Sequence, residues 1–109
     1  MLELYQAEWC PASRRVRQRL TELDVAYIVR QVPVERNERI ALMSETGADT
    51  VPALVVDDGG ALVGEEQILA HLDARFEEPL GATAHRVKAQ KVRKREMEEA
   101  ARCLEPSTP

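Results

Sequence analysis

The residues best placed to do chemistry are Trp9-Cys10-Pro11-Ala12-Ser13. Proline at position 11 is favoured in the first turn of a helix, and the apolar residues after it recur at helical spacing. Cys10 is therefore expected at a helix start, facing unpaired backbone N–H groups and the positive end of the helix dipole. Both favour thiolate over thiol, and the thiolate is the attacking form. The competing reading is a cysteine that merely packs, since free cysteines are often buried. A strand-to-helix turn with Trp9 before the cysteine and Pro11 after it argues for a reactive thiol.

Two further segments stand out. Thr50-Val51-Pro52 precedes a short apolar run. Taken alone it fits a trans proline at a strand start as well as a cis bond. Val63-Gly64-Glu65-Glu66-Gln67 opens a later helix. The helix N-terminus offers N–H groups to an anion, while Glu65 and Glu66 equally fit simple satisfaction of the dipole. His71 and His85 have no metal-like partner spacing, so no metal site is expected.

The elements that would hold these segments follow from hydrophobic periodicity. Leu2, Leu4 and Tyr5 suggest a first strand. Val16, Leu20 and Leu23 form one apolar helical stripe, leaving Arg14, Arg15, Arg17, Gln18 and Arg19 on the wet side. Residues 26–32 are β-branched and aromatic and predict a second strand, ended by Pro33. Residues 35–46 predict a polar helix with Ile40 and Met43 as a thin apolar stripe and Gly47 as its C-cap. Residues 53–56 and 61–63 predict two strands joined by Asp57-Asp58-Gly59-Gly60, a hairpin signal. Ile68, Leu69, Leu72 and Phe76 mark a helix that stops before Pro79. The order is β-α-β-α-β-β-α. Its βαβ start implies parallel pairing and its closing hairpin a mixed, four-stranded sheet with helices on both faces, an α/β fold.

The chain has 109 residues and a net charge of −4, enough for one domain. Residues 1–79 hold eight arginines, no lysine and 15 acids, a net −7; residues 80–109 hold seven basic and four acidic residues, a net +3. This shift, with Pro79 and Gly81, divides the chain into a compact domain, 1–79, and a C-terminal extension, 80–109. Residues 82–104 are good helix formers. Their basic-before-acidic order opposes the helix dipole, so this helix needs a docking surface, with Val87, Val92, Met97 and Leu104 on offer. The last residues, 105–109, suggest a disordered end. No apolar run approaches membrane-spanning length, and the first residues do not resemble a signal peptide. Two cysteines do not make a disulfide framework, which points to a reducing, cytoplasmic setting. Nucleic acid is not expected as a partner: the chain is acidic and no aromatic interleaves the basic run.

Together, Cys-Pro-x-Ser at positions 10–13, Thr50-Val51-Pro52 and the Gly64-Glu65-Glu66 turn, in that element order, resemble the glutaredoxin family. They are equally similar to the N-terminal, thioredoxin-fold domain of glutathione transferases. The resemblance covers residues 1–77. It implies a thioredoxin-like fold in which Cys10 attacks disulfides, often a glutathione mixed disulfide. Ser13 takes the place of the second cysteine of dithiol glutaredoxins. Cys10 would then be resolved by an external thiol or by Cys103, and Ser13 could donate a hydrogen bond to the thiolate. The backbone of Val51, beside a cis Pro52, would pair with the cysteinyl part of glutathione. Glu65 and Glu66 would meet its γ-glutamyl end, and Trp9, Pro11 and Thr50 would border the same site.

The sequence departs from the family pattern in ways that bear on this reading. Glutaredoxins usually carry lysine shortly before the cysteine, where this chain has Gln6, Ala7 and Glu8, and an acid near Cys10 should raise its pKa. The helix terminus is expected to outweigh it. Glu66 stands where transferases have serine, so an arginine is needed to compensate, with Arg14, Arg36 and Arg39 as candidates. Pro11-Ala12 replaces the Gly-Phe of cluster-carrying monothiol glutaredoxins, which speaks against an iron–sulfur role. A complete transferase would need a helical second domain. Two functions result. The first is a monothiol oxidoreductase using glutathione or another small thiol, with protein mixed disulfides as partners. The alternative is a stand-alone binding module without efficient catalysis, acting through partner docking or as a homodimer through the C-terminal helix.

Overall fold

The computed structural model describes residues 1–104; the end segment 105–109, with the disorder expected of it, lies outside the described residues. Among the described residues four strands are formed, β1 (Leu2–Gln6), β2 (Tyr27–Gln31), β3 (Ala53–Val55) and β4 (Ala61–Val63). Four helices accompany them, α1 (Pro11–Glu22), α2 (Ile40–Thr46), α3 (Glu65–Arg75) and α4 (Ala82–Leu104). The sheet order is β2-β1-β3-β4, with β1 parallel to β2 and the other pairs antiparallel. This is the mixed α/β architecture of the thioredoxin-like class, with a helix added at the C-terminal end.

Alternation along the strands builds two cores. Leu2 and Leu4 of β1 and Leu54 of β3 face Val16, Leu20 and Leu23 at α1 and Ile68 and Leu72 of α3. On the opposite face Tyr5, Ala53 and Val55 pack with Leu42 of α2. Each fully buried leucine contributes about 1.5–3 kcal/mol relative to exposure, so Leu4, Leu20, Leu54 and Leu72 anchor α1 and α3 on the sheet. Gly47 ends α2 at φ 75°, with its N–H donating to the Met43 carbonyl at 2.8 Å. That left-handed position suits a residue without Cβ.

Several expectations change. The polar helix begins only at Ile40, after a 3-10 turn at Arg36–Glu38. Its inward residue is Leu42, while Ile40 and Met43 are exposed. The seven-residue helix meets the sheet through so little surface that one leucine suffices. β2 is an edge strand, and Ile28 and Val29 are both partly open to solvent. Its β-branched composition signalled a strand but not its place in the sheet.

α4 runs antiparallel to α1. Arg86 lies beside Glu22, at the C-terminal end of α1, and Arg93 shares a groove with Arg14 near its start. Ala82 is buried, and Arg86, Ala89 and Val92 are half-buried; beyond them residues 93–104 are exposed. Contact is thus made by small residues and charge rather than by Val87, Met97 and Leu104, which are exposed. A charge network fastens it. Arg19 reaches Asp73, Glu22 and Glu78, each at 2.8 Å. Arg86 bonds Glu22 at 3.1 Å and also Glu78. Glu22 is nearly buried, and Gln18 donates to it as well. A carboxylate in such a place is tolerated because it is paired and hydrogen-bonded.

Candidate functional site

The three segments singled out above converge at one end of the sheet. Tyr5 is paired with Ala53, so the end of β1 lies beside Pro52, and Ala53 is paired with Val63, so the end of β4 lies there too. The Gly64 N–H donates to the Pro52 carbonyl at 2.9 Å. The β1–α1 turn with Cys10, the Val51–Pro52 bond and the start of α3 therefore share one rim. The Val51–Pro52 bond is cis and Pro52 is fully buried. Among the described residues the Val51 N–H and carbonyl have no hydrogen-bond partner, and the residue is half-exposed.

Cys10 is the N-cap of α1. Its sulfur accepts the Ser13 N–H at 3.4 Å, and its carbonyl accepts the Arg14 N–H at 3.0 Å. Ser13 is fully buried, and its hydroxyl accepts the Ala7 N–H at 3.4 Å, which braces the turn. Partial burial pushes the Cys10 thiol up. The Ser13 hydroxyl, the Ser13 and Ala12 amides and the Arg15 charge together outweigh it and hold the thiol below its ordinary value. This is the expected direction, reached by hydrogen bonds aimed at the sulfur.

Glu8 does not counteract it. Its carboxylate points to solvent and is met by Arg17 at 3.6 Å. Arg17 also donates to the buried Gln6 side chain, which in turn donates to Gln31 at 2.8 Å. Glu66, the carboxylate expected to need an arginine, has no ion-pair partner among the described residues, and none of the expected arginines reaches the start of α3. Arg36 bonds Asp49, Arg39 donates to the carbonyls of Pro33, Val34 and Asp49, and Arg14 faces α4. Arg15 instead grips Glu65 through Nε and, at 2.8 Å, through Nη2. These bonds hold the Glu65 carboxyl below the usual carboxylate range. Helical periodicity put Arg15 on the wet side, and no spacing in the chain links it to Glu65. Glu66 is exposed, and α3 has no side-chain cap.

Trp9 is 62% exposed, so it stands at the rim and does not pack beneath it; Thr50 and Pro11 are exposed as well. Cys103 is exposed in the last turn of α4, and it and Cys10 are both free thiols. Among the described residues no group of three or more His, Cys, Asp or Glu side chains is arranged to hold a metal ion. None of the described helices is long and apolar enough to cross a membrane.

Residues 4–80 match the model of the glutathione S-transferase N-terminal domain family. Among solved structures, a glutathione S-transferase domain-containing protein from Marinobacter aquaeolei VT8 is 27% identical, with a TM-score of 0.61 over 71% of this chain and 40% of that one. A glutathione S-transferase from Rhodospirillum rubrum F11 is 29% identical, with a TM-score of 0.62 over 72% of this chain and 35% of that one. A glutathione transferase family member from Pseudomonas fluorescens Pf-5, solved with bound glutathione, is 23% identical and shares the fold, with a TM-score of 0.66 over 72% of this chain and 40% of that one. The chain thus spans well under half the length of each of these proteins. No curated protein matches it. With the match covering more than half of its residues, and the cis proline and the α1 and α3 termini meeting on one rim, the chain belongs to the glutathione S-transferase N-terminal domain family.

Proposed function

We propose that the chain is a monothiol thiol–disulfide oxidoreductase that uses glutathione as its co-substrate and Cys10 as its nucleophile. The observation that carries this reading is the Cys10 sulfur, half-exposed at the start of α1 and hydrogen-bonded so that its thiolate is favoured. The thiolate attacks the glutathione sulfur of a protein–glutathione mixed disulfide. The protein thiolate leaves, and Cys10 becomes glutathionylated. A second glutathione thiolate then attacks that disulfide, releasing oxidised glutathione and the Cys10 thiolate. Ser13 cannot close an internal disulfide, so the second thiol comes from solution. The free Val51 backbone suits pairing with the cysteinyl part of glutathione. The unpaired N–H groups at the start of α3 suit the γ-glutamyl carboxylate, and Arg15 already neutralises Glu65. The reducing cytoplasm is where such chemistry would operate.

The test is single-turnover reaction with oxidised glutathione followed by intact-mass measurement. One glutathione adduct on Cys10, absent in Cys10→Ser and removed by reduced glutathione, is expected. A chain that binds glutathione but forms no adduct would instead match the alternative, a binding module acting through self-association or partner docking. The exposed distal half of α4, with Met97 and Leu104 uncovered, favours that second reading.

A further inference from the structure

The end of β1 breaks its own pattern. Leu2 and Leu4 face the core beneath α1, and Gln6 is next on that face, yet it is a polar residue only 1% exposed. An apolar side chain would continue the alternation and avoid the cost of burying an amide. Four polar or charged residues are buried among the described ones, and two of them, Gln6 and Ser13, bracket the turn that carries Cys10. Breaks of a local rule are expected where function, not folding, sets the residue.

The amide of Gln6 is bonded at both ends. Its Oε1 accepts from Arg17, and its Nε2 donates to Oε1 of Gln31 at 2.8 Å. Gln31 is its register partner at the end of β2. Arg17 also meets the Glu8 carboxylate at 3.6 Å. Ser13 lies one helical turn before Arg17, on the same side of α1, and its hydroxyl accepts the Ala7 N–H at 3.4 Å. The Cys10 N–H in turn donates to the Ala7 carbonyl at 3.1 Å. α1 therefore holds the turn at Gln6, Ala7 and Glu8, and the turn closes on itself at Cys10. Val16 and Leu20, both fully buried, already anchor the helix on the sheet. What the polar contacts add is a fixed place for Cys10 against the Ser13 amide, the donor its sulfur uses at 3.4 Å. A buried network with its partners in place is rigid in the way this requires.

We infer that Gln6 and Arg17 are positioning residues for Cys10. Their hydrogen bond locks the β1–α1 turn in the one arrangement that keeps the sulfur over the start of α1, as a thiolate aimed at the rim. Neither side chain bonds the sulfur, so both act through the turn. The inference rests on the reading of Cys10 as the nucleophile.

The test uses two substitutions that change no charge. Gln6→Met keeps the length of the side chain and loses both hydrogen bonds. Arg17→Lys, at a less buried position, keeps the charge and loses the planar fork. Iodoacetamide alkylation across pH gives the thiol midpoint of each variant. Single-turnover reaction with oxidised glutathione, followed by intact mass, gives the rate of adduct formation, and urea unfolding gives stability. The midpoint should rise by about half a unit, and adduct formation at neutral pH should slow by at least about threefold. The urea midpoint of Gln6→Met should stay close to the native one. Because the two side chains form one network, the double variant should be no slower than the slower single one. Well above the midpoint, alkylation should recover while adduct formation stays slow, since attack on a disulfide also needs an aligned sulfur.

Variants that lose stability yet alkylate and form the adduct as the native chain does would overturn the proposal and leave the network a purely structural one. Additive slowing in the double variant would overturn it too. A native chain that forms no adduct would overturn the oxidoreductase reading alone, and the thiol midpoints would still decide whether Gln6 and Arg17 position the thiolate.

Discussion

Arg15 holds the Glu65 carboxylate with two nitrogens of its guanidinium, across 50 positions of sequence. The pair bridges the second turn of α1 to the first turn of α3, and so closes one side of the rim on which Cys10 and Pro52 stand. Arg15 also lies close enough to Cys10 for its charge to favour the thiolate. One side chain thus serves both the nucleophile and the carboxylate that would face glutathione.

Removing that charge should therefore be felt at the sulfur. Arg15→Gln is expected to raise the Cys10 pKa and slow its alkylation at neutral pH, while Glu65→Gln leaves Arg15 free and does not raise it. Iodoacetamide alkylation rates measured across pH give the midpoint directly. In the native chain the rate should climb with pH through a midpoint below that of a free thiol, about 8.5. An unchanged midpoint in Arg15→Gln would show that the charge is screened.

Ser13 has two tasks that one substitution separates from Cys10 itself. Its buried hydroxyl accepts the Ala7 N–H and helps to lower the thiol. Ser13→Ala leaves that N–H without a partner, at a cost of about 1–3 kcal/mol, and removes one hydrogen bond that favours the thiolate. Urea unfolding should show the loss of stability and alkylation an upward shift of the thiol midpoint. Ser13→Cys would test the monothiol chemistry in the other direction, by supplying a thiol one turn from Cys10.

Much of this was legible in the chain. Apolar alternation in 2–6 and the 16, 20, 23 stripe identified β1 and α1, because both bury one face on a large core. The three segments on the rim were legible as turn chemistry: proline, glycine and a helix-start cysteine. Arg15 was not, since helical periodicity sorts residues into wet and dry and says nothing of which acid waits across the gap. α2 was misread for a related reason. A seven-residue helix touching the sheet through Leu42 alone leaves too short a pattern to tell Leu42 from Ile40 or Met43. The docking of α4 was expected from its apolar residues, yet its contact is built from Ala82, Ala89, Val92 and the Arg86 ion pairs. Partners that lie 64 positions apart, such as Arg86 and Glu22, carry no local signal.

Glu22 gives the fold a pH dependence of definite sign. Burial alone would raise its carboxyl, but hydrogen bonds from Gln18, Arg19 and Arg86 hold it below the usual range. A carboxyl lowered in the folded state adds stability that is fully present above its unfolded value, about 4.3, and is lost as pH falls through the folded one. Unfolding free energy, followed by urea titration, should thus decline below roughly pH 5. Glu22→Gln should decline less steeply, and at neutral pH should already be about 1.5–3 kcal/mol less stable. A variant with the same acid slope as the native chain would place the dependence on other carboxylates of the network.

The last prediction concerns where along α4 the docking ends. Its first half is held by Ala82, Arg86, Ala89 and Val92, while residues 93–104 are exposed in one copy of the chain. No acid in its first turn complements the dipole of α4, and an unsupported stretch of about three turns is marginal in water. Limited trypsin digestion should then cut first after Arg102 and Arg95, with Arg86 and Lys88 protected. Arg86→Ala, which severs the pairs to Glu22 and Glu78, should extend cleavage to Lys88. If two copies cover Met97 and Leu104 between them, cleavage after Arg102 slows as the chain is concentrated, and sedimentation shows twice the monomer mass. Met97→Asp with Leu104→Asp should then restore both fast cleavage and the monomer. Cleavage independent of concentration, with monomer mass throughout, would leave the distal half of α4 as a free arm and remove self-association from the functions open to this chain.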